Sequence, residues 1–404
     1  MRQISGGVTA PNGFSASGVR CGLKTSGNDL AIIYSHEPSV AAAVFTANKF
    51  QAAPISISKQ HLGLSASTGG GPSAIQAIVV NSGCANCATG EQGIKDAQRM
   101  TEIAAAGLNI SRDSILVAST GKIGTFLSMD KIETGISNAL SVLSKDGSLS
   151  AAEAIMTTDT RPKQVAVEMM LQGKQVIIGG MAKGAGMIAP NMATMLCFLT
   201  TDAILSNPLL ISMLQEAVNI SFNSITIDGD TSTNDMAAIL ANGASGVSPN
   251  ESDLNIFQTG LNFVCLQLAT MIVRDAEGAT KLLRIHIKNA LSQDIARKIG
   301  LSIANSTLVK CAVFGADPNW GRILCAVGNA GVDIDLKDID IYVDKVQLVK
   351  NSCAGGFDSS LAHQLLSANE VELTVDLKQG DQEAVVLGCD LTTEYVSFNA
   401  HYST

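Results

Sequence analysis

The sequence predicts an α/β protein, α+β in its later part, built as two domains. Three observations carry that expectation. The chain is 404 residues long, enough for a large core and for more than one domain. It is 46% apolar and only 16% charged, with 37 glycines, which suits a tightly packed α/β enzyme and not a disordered chain. Short apolar runs bounded by turn residues alternate with helix-like stretches until the pattern changes near residue 283, where strands of half-buried alternation take over. The expected division is a main domain over residues 1–284 and a smaller α+β domain over 285–404.

In chain order, residues 6–24 are glycine-rich and turn-prone, and 29–35 and 41–46 read as two core strands. The Ser/Gly cluster in 63–75 reads as a loop, 77–81 as a strand, and 91–107 as a helix. Residues 116–124 form a strand ending in the glycine-flanked turn Thr120-Gly121-Lys122-Ile123-Gly124. That turn lacks the first glycine of a phosphate loop and has Ile123 after its lysine, so no nucleotide site is expected. Exposed backbone N–H groups in such a turn are, however, the geometry of an oxyanion hole. Helix character over 150–156 precedes two strands, 165–171 and 175–178, joined by a Gln172-Gly173-Lys174 hairpin turn.

The hairpin delivers the chain to Lys183-Gly184-Ala185-Gly186-Met187-Ile188-Ala189-Pro190-Asn191-Met192-Ala193-Thr194. Two glycines loosen the backbone after the lysine, Pro190-Asn191 makes a turn, and 195–199 reads as a buried strand. Thr194 stands where a self-cleaving N-terminal nucleophile would sit, since a freed α-amine with a pKa of about 7.7–8.0 can deprotonate its own hydroxyl. From the local pattern alone, a plain β-branched strand residue without chemistry is the favoured reading. Beyond it, 207–221 and 256–272 read as helices, 283–288, 339–342 and 371–377 as strands. The polar loop 225–235 fails as a calcium loop, because Thr233 and Ile239 occupy the positions that need glycine and glutamate.

A net charge of −9 argues against nucleic acid as a partner. Nine scattered cysteines among apolar neighbours suggest reduced thiols in a cytoplasmic protein, and the lone Cys84/Cys87 pair has no partners for a metal. No secretory signal opens the chain, and no apolar run of the ~18 residues of a membrane helix is apparent, so no membrane is expected. G-x-S-x-G, H-E-x-x-H and G-x-G-x-x-G are all missing, leaving hydrolase triads, zinc proteases and dinucleotide cofactors without support. No cofactor is expected. Acyl chemistry in this chain would need a less usual base, for which the α-amine of Thr194 is the candidate.

The stretch 183–196 closely resembles the cleavage-site motif of the ornithine acetyltransferase family, the glutamate N-acetyltransferases of arginine biosynthesis. Similarity continues through 6–14, 45–48, 52–54, 81–83, 120–124, 157–160, 228–235, 274–281, 314–322 and 395–404, with a mild departure at 84–88. The resemblance implies an N-terminal-nucleophile-like αββα sandwich with a smaller C-terminal domain. It implies a cut between Ala193 and Thr194, Thr194 as nucleophile, and Thr120 and Gly121 as the oxyanion hole. Thr157, Lys183, Thr194, Glu277, Asn399 and Thr404 would bind the small-molecule substrates N-acetylornithine and glutamate, Lys183 attracting a carboxylate and Glu277 an ammonium. Acetyl-CoA is a co-substrate of the family's bifunctional members. The two fragments would assemble as a heterotetramer, two of each. The alternatives are a self-processed N-terminal-nucleophile aminopeptidase or amidohydrolase, and an uncut binding protein.

Overall fold

The computed structural model describes residues 1–64, 74–189 and 195–401. Its first part is four layers deep, and period-two alternation along the strands builds the layers. In strands Leu30–Phe45, Ile75–Cys84 and Ile115–Lys122, one set of side chains (Ala31, Ile33, Ile78, Val80, Leu116, Ala118) enters a central core. That core is completed from a second sheet by Leu196, Phe198, Met236, Ala238 and Leu240. The intervening residues of the first sheet, including Leu30, Ile32, Val79 and Val117, face helices Gly90–Leu108 and Met129–Ser141. Those of the second sheet, including Ile178, Cys197, Leu199 and Ile239, face helices Asn207–Ile220 and Glu251–Arg274. Helix, sheet, sheet, helix is the αββα sandwich. Burying each large apolar side chain stabilises it by about 1.5–3 kcal/mol, and almost all of these are under 2% exposed.

The two expected strands at 29–35 and 41–46 are one sixteen-residue strand, Leu30–Phe45. Its first half pairs with Phe14–Val19 and Ile75–Cys84, its second half with Met236–Ala241, and the register shifts between Tyr34 and Ser39. The strand thus belongs to both sheets. The polar insert His36-Glu37-Pro38 lies exposed at the bend, where proline costs no ladder bond. The second sheet runs Arg2–Ile4, Lys163–Leu171, Lys174–Lys183, Leu196–Thr201, Met236–Ala241, Leu30–Phe45. Within it, the hairpin joining Lys163–Leu171 to Lys174–Lys183 turns through Gln172 (φ 51°) and Gly173 (φ 75°), the left-handed pair that matches strand twist.

Helix Glu251–Arg274 starts earlier than expected, at an Asn250/Asp253 capping box. It is 24 residues long with a mean hydropathy of 1.6 over its most apolar window, enough by length and composition alone to span a membrane. Its Phe257, Leu261, Val264, Leu268 and Ile272 are buried on the sheet, so it is a core helix.

A second sheet-and-helix body begins with strand Leu282–Ala290, which pairs parallel to Glu370–Asp376 and antiparallel to Gln382–Cys389. Leu283, Ile285 and Ile287 join a separate core under helices Gln293–Asn305, Thr307–Phe314 and Trp320–Gly328. Buried Lys310 ties the bodies together, donating to the carbonyls of Ile227 (2.7 Å) and Cys389 (2.8 Å). The final helix, Thr393–His401, returns to the sandwich.

Candidate active site

Where the sandwich opens, one cleft with a cavity volume of about 120 Å³ is lined by Thr120, Gly121, Thr157, Lys183, Glu277 and Asn399, together with Asp228, Asp230, Asn234 and Tyr395. They arrive from several elements distant in sequence. Thr120 and Gly121 end strand Ile115–Lys122, Lys183 ends strand Lys174–Lys183, and Thr157 follows helix Ser148–Ala154. Glu277 follows helix Glu251–Arg274, its N–H held by the Ala185 carbonyl at 2.8 Å. Tyr395 and Asn399 stand one helical turn apart on the final helix, hence on one face. Six residues expected from sequence therefore share one cleft. The remaining three, Ala193, Thr194 and Thr404, lie outside the described residues.

Lys183 is 2% exposed. Its ammonium donates to Thr157 Oγ1 at 2.7 Å and Thr120 Oγ1 at 3.2 Å. Burial lowers its pKa, while Asp159 opposes that shift. Because Thr120 Oγ1 accepts from the lysine, its own proton is available to donate into the cleft. Gly121 has φ 127°, and a Cβ there would come within 2.4 Å of the Gly83 carbonyl carbon, so only glycine lets the two parallel strand ends approach.

Behind Lys183 lies a buried ion cluster absent from the sequence reading. Lys163, 1% exposed, bonds Asp159 Oδ1 and Asp275 Oδ2, each at 2.6 Å. Asp159 also accepts from Gly184 N (2.7 Å) and Thr157 N (3.0 Å), fixing the backbone around two cleft residues. Burial alone would raise the Asp159 carboxyl, but the Lys183 and Lys163 charges and these donors bring it down to about 2.

The acidic wall was likewise missed as chemistry, although the polar loop that carries it was singled out. Asp228 accepts from Met187 N (2.6 Å), Ile188 N (2.9 Å) and Tyr395 Oη (3.2 Å). Burial raises its carboxyl, and those donors oppose the shift. Glu277 accepts from Asn399 Nδ2 at 3.1 Å. Gly186 is what lets Glu277 lie there, for a Cβ would meet its carboxylate at 2.4 Å. With Asp230, the cleft holds three carboxylates against one ammonium, a field that favours a cationic ligand.

A small cleft at the mouth of an αββα sandwich, lined by a buried lysine, hydroxyls and carboxylates, defines an enzyme site for a small, charged substrate. The family model for the ArgJ family matches residues 15–404, and the chain belongs to that family. It is 45% identical over 410 residues to the arginine biosynthesis bifunctional protein ArgJ of Symbiobacterium thermophilum, covering 100% of both chains. It is also 45% identical over 415 residues to the glutamate N-acetyltransferase of Methanocaldococcus jannaschii, again covering 100% of both. Among solved structures it matches the Bacillus halodurans ArgJ bifunctional protein at 40% identity and TM-score 0.49, over 51% of this chain and 98% of that one. Ornithine acetyltransferase from Mycobacterium tuberculosis, crystallised with ornithine, matches at 38% identity and TM-score 0.42, over 47% and 97%.

Proposed function

We propose that this chain cuts itself between Ala193 and Thr194 and then carries acetyl from N-acetylornithine to glutamate on Thr194, as a step of arginine biosynthesis in the cytoplasm. The observation that supports it most is the convergence of Thr120, Gly121, Thr157, Lys183, Glu277 and Asn399 on one cleft. The chain segment bearing the cut is flanked by that cleft: Met187 lines it, and Leu196 pairs with Lys183.

The Thr194 hydroxyl attacks the acetyl carbon while its α-amine takes the proton. The oxyanion is held by Thr120 Oγ1 and the Gly121 N–H, the C–N bond breaks, and ornithine leaves with the proton. The amine of glutamate then attacks the acetyl ester and regenerates Thr194. Lys183 has one N–H beyond its two threonine bonds for a substrate carboxylate, and its charge keeps the nearby amine neutral at working pH. Glu277, oriented by Asn399, receives the ornithine ammonium, and Thr157 and Thr404 complete the substrate's polar contacts.

The cut would leave residues 1–193 and 194–404 interlocked, in a heterotetramer of two of each. Strands Leu196–Thr201 and Met236–Ala241 of the later piece sit side by side in the sheet, between Lys174–Lys183 and Leu30–Phe45 of the earlier one.

Thr194→Ala tests the reading. It should stay a single chain and be inactive, whereas the unaltered protein migrates as two pieces and consumes N-acetylornithine only when glutamate is supplied. Splitting of the alanine chain at this bond refutes the assignment. Acetate release without glutamate points to the aminopeptidase-like hydrolase, and glutamate acetylation from acetyl-CoA adds the second activity.

A further inference from the structure

Only two buried side-chain polar atoms lack a hydrogen-bond partner among the described residues, Ser17 Oγ and Asp235 Oδ2. The second is a carboxylate oxygen, 0% exposed as a residue, where an unpaired charge is most costly. The other oxygen of the same carboxyl, Oδ1, accepts from Met195 N at 2.9 Å. That nitrogen is bonded to the carbonyl carbon of residue 194. The Thr46 hydroxyl lies close enough to lower the Asp235 carboxyl, but it has one proton and its hydrogen bond goes to Ser232 O at 2.6 Å, which leaves Oδ2 unpartnered. Asp235 is also fixed from behind: its carbonyl accepts from Thr46 N, and the adjoining Asn234 amide donates to the carbonyls of Ala85 and Ser119. Burial raises its carboxyl well above the usual range, with Met195 N–H, the charge of Lys183 and the neighbouring Thr46 hydroxyl opposing, so in its ionised form it is a stronger base than an exposed aspartate.

The proposed reaction needs such a group once, before the enzyme exists in its cut form. The α-amine that serves as base in acetyl transfer is still an amide nitrogen in the uncut chain and has no basic lone pair. We propose that Asp235 is the proton carrier of self-cleavage. Its free oxygen takes the Thr194 hydroxyl proton as Oγ adds to the Ala193 carbonyl carbon. It returns that proton to the residue 194 nitrogen as the C–N bond breaks. The product is an ester between Ala193 and Thr194 Oγ beside a new amine, and one water then hydrolyses the ester to the Ala193 carboxylate and the free hydroxyl. This rests on the proposed cut before Thr194.

The test is the cutting rate of pulse-labelled, full-length chain in cell-free translation. Asp235→Asn keeps an oxygen to accept from Met195 N but replaces the free oxygen by an NH₂ that cannot accept a proton. It should fold, with an unshifted melting midpoint, and cut about 10²-fold more slowly, the lower end of what acid–base catalysis contributes. A folded Asn chain that cuts at the unaltered rate overturns the proposal. If the Asn chain melts early, Asp235→Ala decides: formate, a small acid for the vacated space, should accelerate its cutting over chloride at equal ionic strength, and indifference to formate overturns the proposal. Failure of the unaltered chain to cut at all would instead refute the function proposed above, so the two failures are distinct.

Discussion

Lys163→Met would show how far the cleft depends on charges it never exposes. Methionine fills the lysine's space and donates nothing, leaving Asp159 and Asp275 buried without their shared cation, which now bonds each at 2.6 Å. Removing one partner of a buried pair costs about 3–5 kcal/mol. The backbone donors that remain, Thr157 N and Gly184 N on Asp159 and Thr160 N on Asp275, place the expectation near the lower end. The pH dependence has a definite sign. In the unaltered protein Asp159 sits at about 2, below its unfolded value of about 3.9, so its contribution is full above pH ~4 and is lost as pH falls towards 2. In the variant burial acts with less opposition, the folded carboxyl is raised, and protonation relieves the fold. The stability gap should therefore be about 3 kcal/mol at pH 7 and smaller at pH 4.5. Urea denaturation in the Thr194→Ala background keeps one chain and allows reversible refolding. Far-ultraviolet circular dichroism is the suitable signal, because the single tryptophan, Trp320, packs in the other core. A gap under about 1 kcal/mol at pH 7, or one that widens on acidification, refutes the reasoning.

Further expectations concern the cleft itself. Glu277→Gln still accepts from Asn399 but loses the charge, and should raise KM for N-acetylornithine about tenfold, a loss near 1.4 kcal/mol; an unchanged KM removes Glu277 from substrate binding. Thr120→Val deletes the hydroxyl at nearly constant volume and should lower kcat about 10²–10³-fold with the fold intact. Deleting residues 399–404 removes the amide that bonds Glu277 at 3.1 Å and should weaken transfer while cutting still proceeds; retention of the normal KM would place the tail outside the site. kcat/KM should rise with pH through one ionisation at or below the free-amine value of about 7.7–8.0, and a profile flat from about pH 5 to 9 would eliminate the Thr194 amine as base.

The sandwich was legible wherever a strand formed a short, continuous apolar run. Residues 77–81 and 116–124 announced their strands because both faces are buried, alternate side chains entering two different cores. The single strand across 30–45 was not legible, since His36-Glu37-Pro38 reads locally as a loop and only pairing on both sides reveals a bend. The cleft's residues were legible through resemblance across distant segments; alone, Glu277 and Asn399 carry no pattern that separates them from surface residues. Asp159, Lys163 and Asp275 were invisible as a unit, because an ion pair bridging 112 residues leaves no spacing to read. Asp228 and Asp235 belong to a loop recognised as polar, but which backbone groups a carboxylate grips depends on how the loop folds back.

The strand order across the second sheet gives maturation a direction in time. Before the cut, the strands of residues 196–201 and 236–241 are delivered to their slot by a continuous chain, and folding is a unimolecular search. Afterwards the same two strands are held in the middle of a foreign sheet by hydrogen bonds and packing alone, with neighbours from the other piece on both sides. Unfolding the cut enzyme would dilute one piece away from the other, replacing the millimolar effective concentration of a tether by whatever concentration the solution provides. The mature protein would then hold a conformation that it cannot recover unaided, and its lifetime would be governed by the barrier to leaving that conformation, not by the equilibrium that first formed it.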